Sequence, residues 1–347
     1  MTGTLLKSIK PIALIASTAL MGFTTAASAE DQVRIVGSST VYPFSTVVAE
    51  RFGRNTGFKT PIVESTGTGG GFKLFCAGVG SDTVDVSNAS RAIKSTEVDL
   101  CAKNGVNNII EVKIGYDGIV IANARGAKQF SLTTRDIFLA LAKDIPGPDG
   151  TMIPNPNKTW ADVNPSLPMS KIEVLGPPPT SGTRDAFAEL AMEGGCKTFK
   201  SISSLKKTDS KAYKNICHSV REDGAFIEAG ENDNLIVSKL VSNENALGIF
   251  GYSFLDQNSD KVKAAMINSV DVSFEAIADG SYPISRPLYF YVKGEHLSTV
   301  KSLKPFVSEF ISDAATGEDG YLSDRGLIPM GMMERKASVA KIKAALK

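Results

Sequence analysis

Short apolar runs alternate with helical patterns along most of the chain. Residues 33–36 form a compact apolar run, and Val47, Val48 and Phe52 then follow at helical spacing. The other apolar runs that predict strands are residues 61–64, 84–91, 109–114, 119–122, 171–175, 247–252 and 288–292. Helices are predicted at residues 72–77, 95–103, 132–141, 186–192, 235–241, 305–310 and 336–345. This alternation predicts an α/β fold with largely parallel sheets.

Small hydroxyl residues and glycines follow several of the predicted strands, directly before predicted helices. The first such turn is GSSTVYPF at residues 37–44, and the others are STGTGGG at 65–71, NASR at 88–91 and TSGTRD at 180–185. The N–H groups of a first helical turn lack intrahelical partners and are partly positive, so each turn is able to bind an oxyanion. One such turn alone is more often an ordinary N-cap. Their repetition at the carboxyl ends of strands favours a shared anion site.

The turn at residues 180–185 has the strongest anion-binding pattern, because it combines hydroxyls, a glycine and Arg184 at a predicted helix start. A helix cap beside a surface arginine is the alternative. The glycine-rich turn at residues 65–71 is not a nucleotide loop. The residues FKL at 72–74 stand where a Walker loop needs Gly-Lys-Ser/Thr, and Phe72 stands where a dinucleotide fingerprint needs its last glycine. Both nucleotide interpretations are therefore excluded.

Two further segments interrupt the regular pattern. The sequence GYDG at residues 115–118 separates two apolar runs, which suits a crossover between lobes, although a turn inside one domain would have the same sequence. Residues 146–168 are rich in Pro, Asn, Asp and Gly around the only tryptophan, Trp160, and predict a long surface loop.

The first 29 residues have the pattern of a secretory signal peptide. Lys7 and Lys10 precede an apolar stretch at residues 11–23, and the sequence ASA ends at Ala29. We expect cleavage after Ala29 and an exported, soluble product. The apolar stretch is short for a bilayer span, so a retained anchor is the weaker interpretation.

Four cysteines in an exported chain indicate two disulfides rather than free thiols or metal ligands. Four cysteines allow three pairings. We favour Cys76 with Cys101 and Cys196 with Cys217, because local pairing closes two loops of similar length. Zinc is not expected, since the chain has no C-x-x-C and its two histidines lack ligand spacing.

Charge and motifs exclude several functional classes. The 38 basic and 37 acidic residues nearly balance, so the chain has no net electrostatic field that would attract nucleic acid or membrane lipid. Any anion must therefore be bound by local groups. A secreted phosphatase or serine hydrolase needs an activated nucleophile. The chain has no Gly-x-Ser-x-Gly, and Ser203 with Lys206 matches Ser-x-x-Lys without its partner motifs. The motifs of a phosphatase or serine hydrolase are therefore incomplete in this sequence.

The order of these motifs resembles the periplasmic phosphate-binding proteins of PstS type. The motifs are GSSTVYP at residues 37–43, TGTGGGFK at 66–73, ASR at 89–91, SGT at 181–183, IFGY at 249–252 and YPISRPL at 282–288. The resemblance covers nearly all of the chain after the signal peptide. It implies a monomeric periplasmic receptor, not an enzyme and without a cofactor, with the two-lobed type II fold and two crossover hinge segments. Such a receptor closes on inorganic phosphate and delivers it to the membrane permease of an ABC importer.

The resemblance also implies a set of phosphate-binding residues. They are Ser39, Thr40, Val41, Thr68, Gly69, Ser90, Arg91, Asp117, Ser181, Gly182, Thr183 and Arg184. Two positions depart from the family pattern. Arg91 replaces an aspartate that accepts the phosphate proton in many members, and the arginine before Ser-Gly-Thr is absent, while Arg184 follows the motif. The proton acceptor must therefore lie elsewhere, and Asp117 is the first candidate and Asp185 the second.

The lobes are predicted from the positions of the crossovers. Residues 30–116 and 253–347 would form the first lobe, and residues 117–252 the second. A receptor for another tetrahedral oxyanion, such as sulfate, molybdate or arsenate, is the alternative function. Donors alone do not distinguish these anions, whereas an acceptor for the phosphate proton would reject sulfate.

Overall fold

The computed structural model describes residues 1–3, 32–179, 181–230 and 233–347. The predicted signal peptide, apart from residues 1–3, and its cleavage site after Ala29 lie outside the described residues. The strands are β1 (Arg34–Gly37), β2 (Ile62–Ser65), β3 (Val86–Ala89), β4 (Ile109–Ala124), β5 (Ser131–Leu132), β6 (Asp144–Pro146), β7 (Met152–Pro154), β8 (Val174–Gly176), β9 (Phe226–Glu228), β10 (Leu247–Gly251), β11 (Val262–Ala264), β12 (Met266–Ile267) and β13 (Ser285–Lys293).

Helices connect most of these strands. They are α1 (Tyr42–Asn55), α2 (Thr68–Phe75), α3 (Ser95–Lys103), α4 (Thr134–Leu141), α5 (Trp160–Val163), α6 (Gly182–Phe187), α7 (Glu193–Cys196), α8 (Lys200–Thr208), α9 (Ser210–His218), α10 (Asp233–Ser242), α11 (Tyr252–Gln257), α12 (Phe274–Ala278), α13 (Leu303–Phe310), α14 (Asp313–Thr316) and α15 (Met332–Ala345). A π-helical turn, Ala188–Met192, joins α6 to α7. Among the described residues, no helix is both long enough and apolar enough to cross a membrane.

The main sheet has the strand order β2-β1-β3-β13-β4-β10-β8-β9, and β11 also pairs with β4. The outer strands are parallel, since β1 pairs in parallel with β2 and β3, and β8 with β9 and β10. The central pairs that β4 forms with β13 and β10 are antiparallel. The predicted α/β class is confirmed, and its two parallel wings meet at an antiparallel centre.

Strand β4 runs from one wing into the other without a break. Its first half pairs with β13, and its second half pairs with β10 and β11. The predicted interruption at residues 115–118 is therefore wrong. Gly115 has a φ of 151°, and a Cβ there would lie 2.4 Å from the carbonyl oxygen of Ile328. The glycine marks a close backbone approach inside a strand rather than a turn.

The hydrophobic core is divided between the two wings. One large cluster contains Phe52 of α1 and Phe306 of α13, and the other contains Phe138 of α4 and Trp160. Trp160 is fully buried and packs edge-on against Phe130, so the predicted surface loop at residues 146–168 is wrong at this position. Burying so large an apolar side chain offsets the entropy of ordering the loop. The predicted lobe boundaries stay a prediction.

Two helices begin earlier than predicted. Helix α2 begins at Thr68 rather than at residue 72, and α6 begins at Gly182 rather than at residue 186. The small polar residues therefore form the first helical turns themselves. This arrangement places their backbone N–H groups at the ends of β2 and of the segment that follows β8.

Both predicted disulfides are confirmed. Cys76 is bonded to Cys101 between the end of α2 and α3, and Cys196 is bonded to Cys217 between α7 and α9. The bonded residues are separated by 25 and 21 positions. Loops of this length give about 3 kcal/mol of stabilisation each in the chain-entropy description.

Candidate functional site

The turn from β1 to α1 forms the first wall of the candidate site. Gly37 has a φ of 128°, and a Cβ there would lie 2.2 Å from the carbonyl oxygen of Asn88 at the end of β3. The Ser38 N–H donates to that same oxygen at 2.9 Å. Thr40 is nearly buried and Val41 is fully buried. The turn is thus held at the carboxyl ends of two parallel strands, where ligand sites form in such sheets.

The first turn of α2 lies beside the β1–α1 turn. The Ser90 N–H donates to Thr68 Oγ1 at 3.1 Å, and the two hydroxyl oxygens are 3.0 Å apart. A Cβ on Gly71 would lie 2.6 Å from the Gly37 Cα, so no side chain fits between α2 and the end of β1. A Cβ on Gly69 would meet nothing within 4 Å. The structure therefore brings three predicted binding residues of the first lobe, Thr68, Gly69 and Ser90, into one cluster with an open position at Gly69.

The start of α6 forms the opposite wall. Ser181 caps this helix, because its Oγ accepts from the Thr183 N–H at 3.2 Å. A Cβ on Gly182 would lie 3.4 Å from the Thr40 Cα and 3.5 Å from the Ser39 carbonyl oxygen. A side chain at 182 would thus reach ordinary van der Waals contact with the first wall, so the turns of the two walls lie close together at this point.

Arg286 of β13 lies between the two walls, and it is only 9% exposed. Its Nη2 donates to Thr40 Oγ1 at 2.8 Å, and its Nη1 is ion-paired with Oε2 of Glu189 in the π-helical turn. Its Nε lies 3.4 Å from Oδ2 of Asp117. A buried arginine needs such partners, since an uncompensated charge is costly in the interior.

Asp117 is the carboxylate at the junction of the walls. It lies opposite Arg286 in the antiparallel register of β4 and β13. Its Oδ2 is buried and has no hydrogen-bond partner in the described part of the chain. Burial raises the pKa of Asp117, the Arg286 charge opposes this shift, and the Glu189 charge adds to it. The site thus contains a buried acceptor oxygen that is ion-paired with Arg286 but makes no hydrogen bond within the described residues.

The two arginines singled out from the sequence have partners elsewhere. Arg91 forms a two-point ion pair with Glu97, at 2.7 and 2.9 Å, and its guanidinium lies 5.6 Å from the Phe72 ring. Arg184 donates to the Pro177 carbonyl at 3.1 Å and stacks at 4.3 Å over a phenylalanine ring of β9. Burial lowers the pKa of Arg184. The cation that contacts Thr40 and Asp117 is Arg286 instead.

Arg286 and Glu189 belong to the candidate site, but the sequence motifs do not single them out. Arg286 belongs to the motif YPISRPL, which supports the family resemblance. An arginine beside the apolar residues of a buried strand was the available signal, because such a charge needs a partner. The pattern of the predicted helix at residues 186–192 does not indicate a functional role for Glu189.

The hydrolase alternative gains no support from the geometry. Ser203 Oγ donates to the Lys200 carbonyl, and Lys206 Nζ is ion-paired with Glu193 at 2.8 Å. In the described ranges, no group of His, Cys, Asp and Glu side chains is arranged to hold a metal ion. The site offers donors, one buried cation and one buried carboxylate paired with it, which suits the binding of a protonated oxyanion.

Comparison with known proteins gives the family. The model of the PBP superfamily domain matches residues 24–314. Protein SphX of Synechococcus elongatus is 31% identical over 327 residues, which cover 92% of this chain and 83% of that protein. The phosphate-binding protein PstS of Staphylococcus saprophyticus is 31% identical over 289 residues, covering 82% and 77%.

A solved structure agrees with this result. The crystal structure of a possible phosphate binding protein from Planctomyces limnophilus has a TM-score of 0.72 and 26% identity, over 91% of this chain and 99% of that one. PstS from Borrelia burgdorferi, at 17% identity and a TM-score of 0.57 over 87% and 100%, shares the fold.

A two-lobed binding protein of the type II periplasmic fold is the class that the architecture defines. The chain belongs to the PBP superfamily. The predicted fold and the expectation of a binding protein rather than an enzyme are confirmed by this membership.

Proposed function

We propose that this protein is a receptor that binds inorganic phosphate between its two lobes and delivers it to a membrane ABC importer. The observation that carries the proposal is the group formed by Thr40, Asp117 and Arg286, with Gly182 of the opposite wall close to Thr40. Relatives at 31% identity that are named phosphate-binding proteins support the same conclusion.

The donors of the proposed site are backbone and hydroxyl groups from the three helix starts and from the end of β3. They are contributed by Ser39, Thr40, Val41, Thr68, Gly69, Ser90, Ser181, Gly182 and Thr183. Fixed N–H groups at helix starts bind a dianion without having to reorganise, and closure of the lobes excludes the water that would weaken each contact. Arg286 supplies the cation. Arg91 and Arg184 stay candidates, and phosphate would have to replace the protein partners that each now has.

Asp117 is proposed as the acceptor of the phosphate proton. Its buried Oδ2 makes no hydrogen bond within the described residues, whereas Asp185 lies in the first turn of α6, where a carboxylate stabilises the helix start. A hydrogen phosphate can donate to this oxygen, but a sulfate dianion has no proton to donate. This difference favours phosphate over sulfate.

The cellular setting follows from the same proposal. The predicted signal peptide is removed after Ala29, and the mature protein is a periplasmic monomer. Its lobes comprise residues 30–116 with 253–347 and residues 117–252. Neither nucleic acid nor a cofactor takes part.

Isothermal titration tests the proposed ligand. Protein that has been unfolded, stripped of anion and refolded should release heat with phosphate and not with equal concentrations of sulfate. Arsenate, which carries the same proton near neutral pH, should compete. Heat with sulfate or molybdate but none with phosphate would assign the site to another oxyanion and refute the proposal.

A further inference from the structure

A single guanidinium connects the two walls of the site. Arg286 donates to Thr40 on the first wall at 2.8 Å, and it is ion-paired with Glu189, which belongs to the helical segment of the second wall. Arg286 is 9% exposed, whereas the Glu189 side chain is 47% exposed. The ion pair therefore has a buried end at the junction of the lobes and a solvent-facing end on the second lobe.

Glu189 differs from the neighbouring acidic residue of the same helical segment. Glu193, four residues further on, is ion-paired with Lys206 at 2.8 Å and contacts His218 at 2.9 Å, and both partners lie in the second lobe. Glu189 instead contacts a residue of β13. It lies in the π-helical turn Ala188–Met192, and such turns are common at functional sites. The sequence thus provides one acidic residue for a contact within the lobe and one for a contact between the walls.

We propose that Glu189 is a clasp residue whose ion pair with Arg286 holds the lobes closed and slows the release of the bound anion. This inference rests on the proposed function. Opening the lobes must separate Glu189 from Arg286 and leave the buried guanidinium with Asp117 and Thr40 as its partners. Breaking a partly buried charge pair across an interface acts mainly on the dissociation rate.

The test compares Glu189→Gln with Glu193→Gln. Glutamine keeps the shape of glutamate and removes its charge. Phosphate dissociation, measured by stopped flow, should be about tenfold faster in Glu189→Gln, with little change in the association rate. Glu193→Gln should release phosphate at the wild-type rate, because its ion pairs stay within one lobe. Thermal melting should show that Glu189→Gln folds, since its side chain is half exposed.

Two outcomes would overturn the clasp. Tighter phosphate binding in Glu189→Gln would show that the carboxylate competes with the anion for Arg286. Equal dissociation rates in the two variants would show that the pair does not resist opening.

X-ray scattering separates failure of the clasp from failure of the proposed function. If wild-type protein does not bind phosphate, the proposed function fails, and the clasp is judged from scattering alone. A larger radius of gyration in Glu189→Gln than in wild type and Glu193→Gln supports the clasp. The same radius in all three proteins overturns it.

Discussion

Substitution of Asp117 by asparagine tests how the site selects its anion. The Asp117 side chain is 15% exposed, and its Oδ2 lies 3.4 Å from Nε of Arg286 without a hydrogen-bond partner in the residues described. A phosphate proton donated to this oxygen makes a charge-assisted hydrogen bond, which contributes about 1.5–3 kcal/mol. Asp117→Asn should therefore weaken phosphate binding about 10- to 150-fold.

The same substitution should admit sulfate. In the wild type, an ionised Asp117 would face sulfate oxygen without an intervening proton, and like charges at this distance repel. Asparagine removes the charge and offers an N–H donor, so its affinity for sulfate should rise while its affinity for phosphate falls. The change in the ratio of the two affinities is the decisive quantity, because a general loosening of the site would weaken both anions alike.

The pH dependence provides a second measurement. Burial raises the pKa of Asp117, so this carboxyl gains its proton at a higher pH than an ordinary aspartate does. Selectivity for phosphate should then decline more on acidification in the wild type than in Asp117→Asn, because the protonation of phosphate itself affects both proteins alike. The free energy of unfolding depends on pH in the opposite direction from the selectivity, because it falls as the pH rises. A raised folded-state pKa means that the ionised carboxylate costs stability above that pKa, so the asparagine variant should be at least as stable as wild type at pH 7.

Isothermal titration with phosphate and sulfate, at neutral and acidic pH, measures both effects. An unchanged phosphate-to-sulfate ratio in Asp117→Asn would refute the role of this carboxylate and direct attention to Asp185. If Asp117→Asn instead lost stability together with its affinity for phosphate, Asp117 would have a structural role.

Three further predictions follow from contacts in the structure. Arg286→Gln should weaken phosphate binding more than Arg184→Ala, because only Arg286 contacts the proposed donors and acceptor; titration showing the reverse order would make Arg184 the principal cation. Burial acts to raise the pKa of Glu193, but hydrogen bonds from its histidine and lysine partners lower it to about 2. The lowered pKa contributes up to about 3 kcal/mol that is present above pH 4.5 and lost as the pH falls towards 2. Glu193→Gln should therefore unfold at lower denaturant concentration at pH 7, and its deficit relative to wild type should shrink to about half or less at pH 3; an equal deficit at both pH values would contradict this. Replacing Cys196 and Cys217 by serine should lower the unfolding free energy by about 3 kcal/mol, and an unchanged denaturation midpoint would show that the loop is already ordered without the bond.

Local chemistry explains what the sequence could predict. Each polar turn needs only a strand, a few small residues and a helix start, and all of these lie within about ten positions of one another. The turns at Thr40, Thr68 and Gly182 could therefore be identified, although the starts of α2 and α6 were placed four residues late. Glycine has low helix propensity, so a run of glycines predicts a loop before a helix rather than its first turn. The disulfide pairing could also be predicted, because each bond joins two cysteines that are close in the sequence.

Tertiary contacts explain two of the errors. Residues 115–118 look like a turn, yet β4 continues through them because Tyr116 pairs with Ile328, which lies far along the chain. The loop around Trp160 is rich in turn residues, yet its indole is buried in the hydrophobic cluster that also contains Phe138. In both cases a distant partner decides the structure, and a local pattern contains no information about it.

The binding chemistry shows the same limit most clearly. Thr40 and Arg286 are separated by 246 positions, and their contact depends on the order in which β13 enters the sheet between β3 and β4. That order places Arg286 opposite Asp117 and within hydrogen-bond distance of Thr40. The position of one strand in the sheet therefore brings together the cation and the ion-paired acceptor of the site. A sequence pattern can identify the donors, because each is built within a single strand-to-helix turn. The charged residues that would discriminate between anions come together only where the two lobes meet, through contacts between distant parts of the chain. Local motifs contain no information about these contacts, so they point to Arg91 and Arg184, which lie within the polar turns, and not to Arg286.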